Sequence, residues 1–108
     1  MVIDDGSHVG EHIWASFRHL FPRMAPGSIY VIEDLHTSFW ENFGGAVPAP
    51  ADSSIGLLRE AVTAAQQGDR TYDSKRVLRV RPPDWDFGRL ASAHIYPGIA
   101  FLTKGSEA

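Results

Sequence analysis

Two short apolar runs, Val2-Ile3 and Ile29-Tyr30-Val31-Ile32, each end in carboxylates, Asp4-Asp5 after the first and Glu33-Asp34 after the second. An unbroken apolar run of this kind reads as a strand buried on both faces, the habit of parallel sheets. Between the runs, within residues 8–21, apolar side chains fall at Ile13, Trp14, Phe17, Leu20 and Phe21. That spacing is one face of an amphipathic helix. Ser7 stands where a helix N-cap is expected. Pro22 ends or distorts the helix, because proline removes a backbone donor and clashes with the preceding turn. Pro26-Gly27 supplies the turn into the second run. Asp5 and Glu33 lie 28 positions apart, which suits one β–α–β unit. Its strands are then parallel and its crossover right-handed.

The pattern is looser beyond Asp34. Residues 35–52 read as a loop, with Gly44-Gly45, Pro48 and Pro50, yet they carry Phe39, Trp40 and Phe43. A second helix is predicted over residues 54–67, capped by Ser54, stopped by Gly68 and buried along Ile55, Leu58, Val62 and Ala65. Residues 69–86 give no clear pattern, although residues 76–80 alternate like an edge strand ended by Pro82-Pro83. Ala93-His94-Ile95-Tyr96 and Ile99-Ala100-Phe101-Leu102 flank Pro97-Gly98 and predict an antiparallel hairpin. A Pro-Gly pair is not one of the primed hairpin turns, so it leaves the register open.

Composition narrows the chemistry. A chain of 108 residues holds one domain at most, and 44% hydrophobic residues is ordinary for a globular protein. Net charge is −3, which gives no electrostatic footprint for nucleic acid, and the basic stretch 75–81 reads as a solvated face. The absence of cysteine rules out disulfides, zinc–thiolate sites and cysteine nucleophiles. No apolar run approaches the roughly 18 residues of a membrane span, and no basic-then-apolar leader opens the sequence. The expectation is a cytoplasmic protein with neither a membrane nor a nucleic-acid partner.

In open α/β sheets, ligands bind beyond the carboxyl ends of the strands. Asp4 and Asp5 sit at one such end, and Glu33 and Asp34 at the other. Neighbouring strands lie about 4.8 Å apart, so carboxylates from both can reach one cation. Oxygen ligands without thiolates favour Mg²⁺ or Mn²⁺ over zinc, and Mg²⁺ leaves coordination positions for a substrate's oxygens. His8, placed at the start of the helix near Asp5, is a candidate base for a hydroxyl acidified by that cation. Each motif also has a purely structural reading, as a turn after a strand or as a helix-capping pair. Spacing alone does not name the electrophile. His12, His19 and His94 show no partner pattern; His36 lies close enough to Asp34 to line the site, or to serve as a cap. Phe39, Trp40 and Phe43 suit an apolar wall over a substrate or simple loop packing.

The order of Asp4-Asp5-Gly6-Ser7-His8, Leu20-Phe21-Pro22, Pro26-Gly27, Tyr30-Val31-Ile32-Glu33-Asp34 and Thr37-Ser38-Phe39-Trp40 is distinctive. Together these motifs resemble the C-terminal half of class I S-adenosylmethionine-dependent methyltransferases, in the branch of metal-dependent sugar O-methyltransferases of macrolide and related polyketide biosynthesis. The stretches 2–45 and 90–105 carry the resemblance, the latter as the family's closing hairpin. It implies an α/β fold, the C-terminal part of a Rossmann-like domain, with residues 1–108 one partial domain whose N-terminal cofactor half is absent. It implies Mg²⁺ held by Asp5, Glu33 and Asp34, His8 as general base, and an edge of the cofactor touching the Asp4–Ser7 rim, Asp5 included. The implied reaction is methyl transfer from S-adenosylmethionine to a hydroxyl of a glycosylated polyketide or similar sugar. A complementing N-terminal half or self-association would then complete the enzyme. A remnant or binding module without turnover, and a metal-dependent hydrolase, are the rival expectations.

Overall fold

The computed structural model describes residues 1–67, 71–72, 77–78 and 87–106. In chain order the regular elements are β1 (Val2–Asp4), α1 (Gly10–Leu20), β2 (Ile29–Glu33), α2 (Ser54–Gln67), β3 (Thr71–Tyr72), β4 (Val77–Leu78), β5 (Leu90–Tyr96) and β6 (Ile99–Lys104). Short 3₁₀ turns follow α1 at Phe21–Arg23 and follow β2 at Leu35–Phe39 and Glu41–Phe43. The main sheet has the order β1-β2-β6-β5. β1 and β2 are parallel, as the β–α–β reading expects, with Val2 opposite Tyr30 and Asp4 opposite Ile32. The β5–β6 hairpin also forms as expected and closes with Tyr96 opposite Ile99. Its second strand inserts beside β2, antiparallel, a placement that no local pattern encodes. β3 and β4 pair as a separate two-stranded ribbon, while the rest of the predicted 76–80 strand and Gly68 lie outside the described residues.

The core lies on one face of the sheet. Ile13, Phe17 and Phe21 from α1 meet Tyr30 and Ile32 from β2, with Ala100 and Leu102 from β6 alongside. The ring of Phe17, fully buried, sits 4.5 Å from that of Phe21, 5.1 Å from Tyr30 and 5.2 Å from Phe87. Pro22 ends α1 in a 3₁₀ turn, as its chemistry demands. Leu20, assigned to the apolar stripe by spacing, lies at its margin and is 37% exposed.

Both predicted helix caps shift. α1 begins at Gly10 after Val9, and Ser7 makes no cap to it; its hydroxyl accepts from the Val9 amide at 3.3 Å and pairs with His12 Nδ1 at 2.7 Å. His12 therefore has a partner after all. At α2 the cap is Ser53 rather than Ser54, since the Ser53 hydroxyl accepts from the Gly56 amide at 3.0 Å. The buried face of α2 runs through Leu57, Leu58, Ala61 and Ala64, whereas Val62 is 48% exposed and Ala65 is exposed. The buried face is thus turned by about one residue from the predicted stripe, toward Leu57, Ala61 and Ala64. The two helices meet at their starts: Trp14 Nε1 donates to the Ser53 carbonyl at 2.9 Å. A side chain at Gly10 would run into the backbone of Asp52 and Ser53, so only glycine permits this approach.

Among the described residues, no helix is long and apolar enough to cross a membrane. Because Phe17 touches three other rings at the centre of the core, Phe17→Ala should cost about 3–5 kcal/mol. Loss of the cooperative urea transition followed by circular dichroism would register it.

Candidate metal and base site

The parallel register carries both acidic strand ends to one rim. Asp4 pairs with Ile32, so the next residues along, Asp5 and Glu33, emerge side by side. Asp4 itself is engaged elsewhere. The Tyr30 hydroxyl donates to its Oδ2 at 3.3 Å, and burial, reinforced by the Asp4 charge, pushes the phenol above its ordinary range. The remaining acids converge with His8. Its Nε2 lies 3.2 Å from Asp34 Oδ2 and 3.8 Å from Asp5 Oδ1. One ligand atom from each of Asp5, His8 and Asp34 can be chosen so that all three lie within 4.8 Å of one another. Glu33 joins this group through Asp5. The Asp5 charge is the main reason its carboxyl sits above the usual range, followed by partial desolvation, a hydrogen bond with Asp5 and the charge of Asp34; His8 opposes the shift.

Backbone conformation fixes this convergence. His8 and Asp34 are the two non-glycine residues with positive φ among those described, at 63° and 54°. Left-handed backbone is costly for residues with a Cβ and persists where the surroundings enforce it, often at functional sites. His8 thus lies two residues before α1, whereas the sequence pattern places it at or just inside the start of that helix. A left-handed residue turns its imidazole back toward the strand ends, which a helical one would not do. The enforcing group is Thr37, which sequence reasoning missed. It is 3% exposed, and its hydroxyl lies 3.1 Å from the His8 carbonyl and 3.0 Å from the Asp34 carbonyl, placed to donate to either. The sequence offered Thr37 only as part of the Thr37-Ser38-Phe39-Trp40 motif and as a threonine three residues past a strand-end acid, with no role attached. Ser38 anchors the same loop, with its hydroxyl 2.7 Å from that of Ser54 and accepting from the Ile55 amide at 3.2 Å. On the far side, the Leu35 amide donates to the Gly98 carbonyl at 3.1 Å, tying the loop to the hairpin tip.

Aromatic rings border the acids. The ring of His8 sits edge-on to Phe43 at 6.4 Å, Phe43 lies 5.9 Å from Trp40, and Trp40 lies 4.9 Å from His36. Phe39 and Trp40 remain 44% and 49% exposed. His36 joins Glu33 and Asp34 in lining a cleft with the hairpin tip, whereas His19 and His94 take no part in the site.

Among the described residues, no lysine or arginine pairs with Asp5, Glu33 or Asp34, and the His8 imidazole lies within 4 Å of Asp5 and Asp34. Uncompensated carboxylates of this kind suit a hard divalent cation. The charge balance also sets a pH dependence. Because the folded chain raises the carboxyl of Glu33 above its ordinary value of 4.5, the folded form binds more protons than the unfolded one just above that pH. Stability should therefore fall as pH rises from 4.5 through the raised value. Without divalent cations, Glu33→Gln should raise the melting temperature at neutral pH and lose its advantage below 4.5, as differential scanning fluorimetry would follow. Thr37→Val should cost about 1–2 kcal/mol in urea denaturation, and Thr37→Ser should recover much of it.

No family model matches the sequence. Demethylmacrocin O-methyltransferase of Streptomyces fradiae is 41% identical over 107 residues, which is 97% of this chain and 26% of that protein. The 8-demethyl-8-alpha-L-rhamnosyl tetracenomycin-C 2'-O-methyltransferase of Streptomyces olivaceus is 39% identical over 104 residues, 96% of this chain and 26% of that protein. Among solved structures, the MycE methyltransferase of the mycinamycin biosynthetic pathway, in complex with Mg and SAH, superposes with a TM-score of 0.80 at 37% identity. The match covers 98% of this chain and 27% of that one. The chain thus spans about a quarter of the length of the relatives it matches. In sequence and in fold, it corresponds to the C-terminal part of the class I S-adenosylmethionine-dependent sugar O-methyltransferases of macrolide and polyketide pathways.

Proposed function

We propose that the chain is the metal-and-base part of an Mg²⁺-dependent O-methyltransferase that methylates a sugar hydroxyl of a polyketide glycoside. The observation that carries this reading is the pair of left-handed residues, His8 and Asp34, whose side chains meet at 3.2 Å on the rim that Asp5 shares. Asp5, Glu33 and Asp34 would hold the cation, and the exposed Asp5–Ser7 turn would lie along the edge of S-adenosylmethionine. When bound, Mg²⁺ would supply Lewis acidity toward the acceptor hydroxyl and S-adenosylmethionine an electrophilic methyl group. In the chain's own part of the reaction, the His8 imidazole would take the hydroxyl proton as the methyl passes from sulfur to that oxygen, leaving S-adenosylhomocysteine. Asp34 keeps the imidazole aimed at the rim, and Thr37 keeps both backbones in place. His8 is only 23% exposed, so its ring has few positions open to it.

The relatives support the acceptor class: one acts on a rhamnosyl tetracenomycin, and MycE comes from the mycinamycin pathway. Most of each relative lies outside the matched part, and we assign the remaining cofactor contacts to a complementing N-terminal half. On this reading residues 1–108 form a single partial domain.

Titration of the chain with Mn²⁺ should broaden amide signals around Asp5, His8, Glu33 and Asp34 first. Broadening spread over the acidic surface would overturn the metal assignment. With this segment placed in a full-length relative, His8→Ala should lower kcat by about a hundredfold or more. Metal affinity should stay nearly unchanged; a large loss of it would make His8 a ligand instead of the base.

A further inference from the structure

Between β1 and α1, Asp5 and His8 are each spanned by a bond from a side chain to the backbone. Asp4 Oδ1 accepts from the Gly6 amide at 3.4 Å, across Asp5, and the Ser7 hydroxyl accepts from the Val9 amide at 3.3 Å, across His8. Aspartate and serine close turns in this way. Each closing side chain is held by a further one: the Tyr30 hydroxyl donates to Asp4 Oδ2, and Ser7 Oγ lies 2.7 Å from His12 Nδ1. Tyr30 is fully buried and gives Asp4 a fixed neighbour. Ser7 is exposed, so water competes for its hydroxyl and its orientation depends on His12.

The peptide group that joins His8 to Val9 is engaged at both ends. Thr37 Oγ1 lies 3.1 Å from its carbonyl oxygen, and Ser7 Oγ lies 3.3 Å from its nitrogen. The group is planar, so it turns as one piece, and its orientation sets ψ of His8. Thr37 is buried, whereas Ser7 can leave its bond by a single rotation about χ1. His12 opposes that rotation. It stands in the first turn of α1, where its amide donates to the Val9 carbonyl at 2.9 Å. The ring that holds Ser7 is therefore carried by the helix that the left-handed turn leads into. Among the described residues, Ser7 is the one hydrogen-bond partner of the His12 side chain, and His12 stands apart from the Asp5, His8 and Asp34 cluster.

We propose that His12 is a positioning residue for the base: through Ser7 it fixes the peptide after His8, and so keeps the His8 imidazole aimed at Asp34 and the acidic rim. The assignment rests on the reading of His8 as the base and adds a connection from that base to α1. Its consequence is a division of labour. His12 governs proton removal by His8, while cation binding is left to the carboxylates at the strand ends. The Ser7–His12 bond needs one donor and one acceptor, which either tautomer of the ring provides. Asparagine, whose amide branches at the same atom as the imidazole, offers a donor or an acceptor in place of Nδ1. Leucine offers neither.

The test compares His12→Leu, His12→Asn and Ser7→Ala in this chain by NMR. A residue with positive φ holds its own amide proton close to its Hα, so His8, at 63°, should give a strong intraresidue NOE. That NOE should be lost in His12→Leu and Ser7→Ala and kept in His12→Asn. Contacts between the Phe17 and Tyr30 rings should persist in all three, which shows that they fold. With this segment placed in a full-length relative, His12→Leu should lower kcat about tenfold, the loss of one hydrogen bond. The acceptor KM and Mn²⁺ affinity should not change, and His12→Asn should recover most of kcat. A His8 NOE that survives in His12→Leu overturns the proposal, as does loss of the Phe17–Tyr30 contacts with it, which would make His12 a prop of the fold. An unchanged kcat in His12→Leu beside a lowered one in His8→Ala overturns the positioning role and leaves the base standing. An unchanged kcat in His8→Ala overturns the base reading and, with it, the role of His12.

Discussion

The pairing of β1 with β2 is the constraint from which the site follows. Parallel strands place their carboxyl ends together, and the register with Asp4 opposite Ile32 brings Asp5 beside Glu33. A slip of one residue would turn alternate side chains to the opposite face of the sheet. Tyr30 would then lose Phe17 and Phe21 as neighbours, and its hydroxyl would leave Asp4. The aromatic core under β2 therefore holds the acidic rim in register, although none of its rings belongs to the site. This support is needed because the rim is unfavourable in itself, with carboxylates of one sign crowded together and two residues held in left-handed backbone.

The parts legible in the sequence are those with a local cause. Apolar runs ending in acids mark β1 and β2; the helical spacing of Ile13, Phe17 and Phe21 marks α1; Pro97-Gly98 marks the hairpin. The acids that meet at the rim were each readable from their place at a strand end, and His8 from its place three residues after Asp5. The rest depends on contacts between distant residues. Nothing near Ile99 says that β6 will lie against β2. Alanines on α2 carry too little hydrophobic signal to reveal that their face is the buried one. Ser53 and Ser54 compete as caps with nothing local to choose between them; the choice is made by Ser38, which engages Ser54 from another loop.

His8 shows the limit most directly. Its identity and proximity to Asp5 were apparent, but its conformation was not, because Thr37 imposes it from beyond β2. The same hydroxyl lies within reach of the Asp34 carbonyl, so one buried side chain sits against both left-handed residues of the rim. Such second-layer groups leave little trace in a single sequence, since a threonine after a strand has many ordinary uses.

The strand order has a further consequence, in folding kinetics. β1, α1 and β2 make contacts between residues close in sequence, which form quickly, whereas β6 must travel from the far end of the chain to reach β2. The β1–α1–β2 unit can therefore assemble while one edge of β2 is still bare. The Leu35–Gly98 bond forms only when the hairpin docks. An order of events is thereby written into the topology, in which the acidic rim is sketched early by neighbours in sequence and its outer wall arrives last. During that interval the free edge of β2, rich in Ile, Tyr and Val, is the segment most open to pairing with another chain.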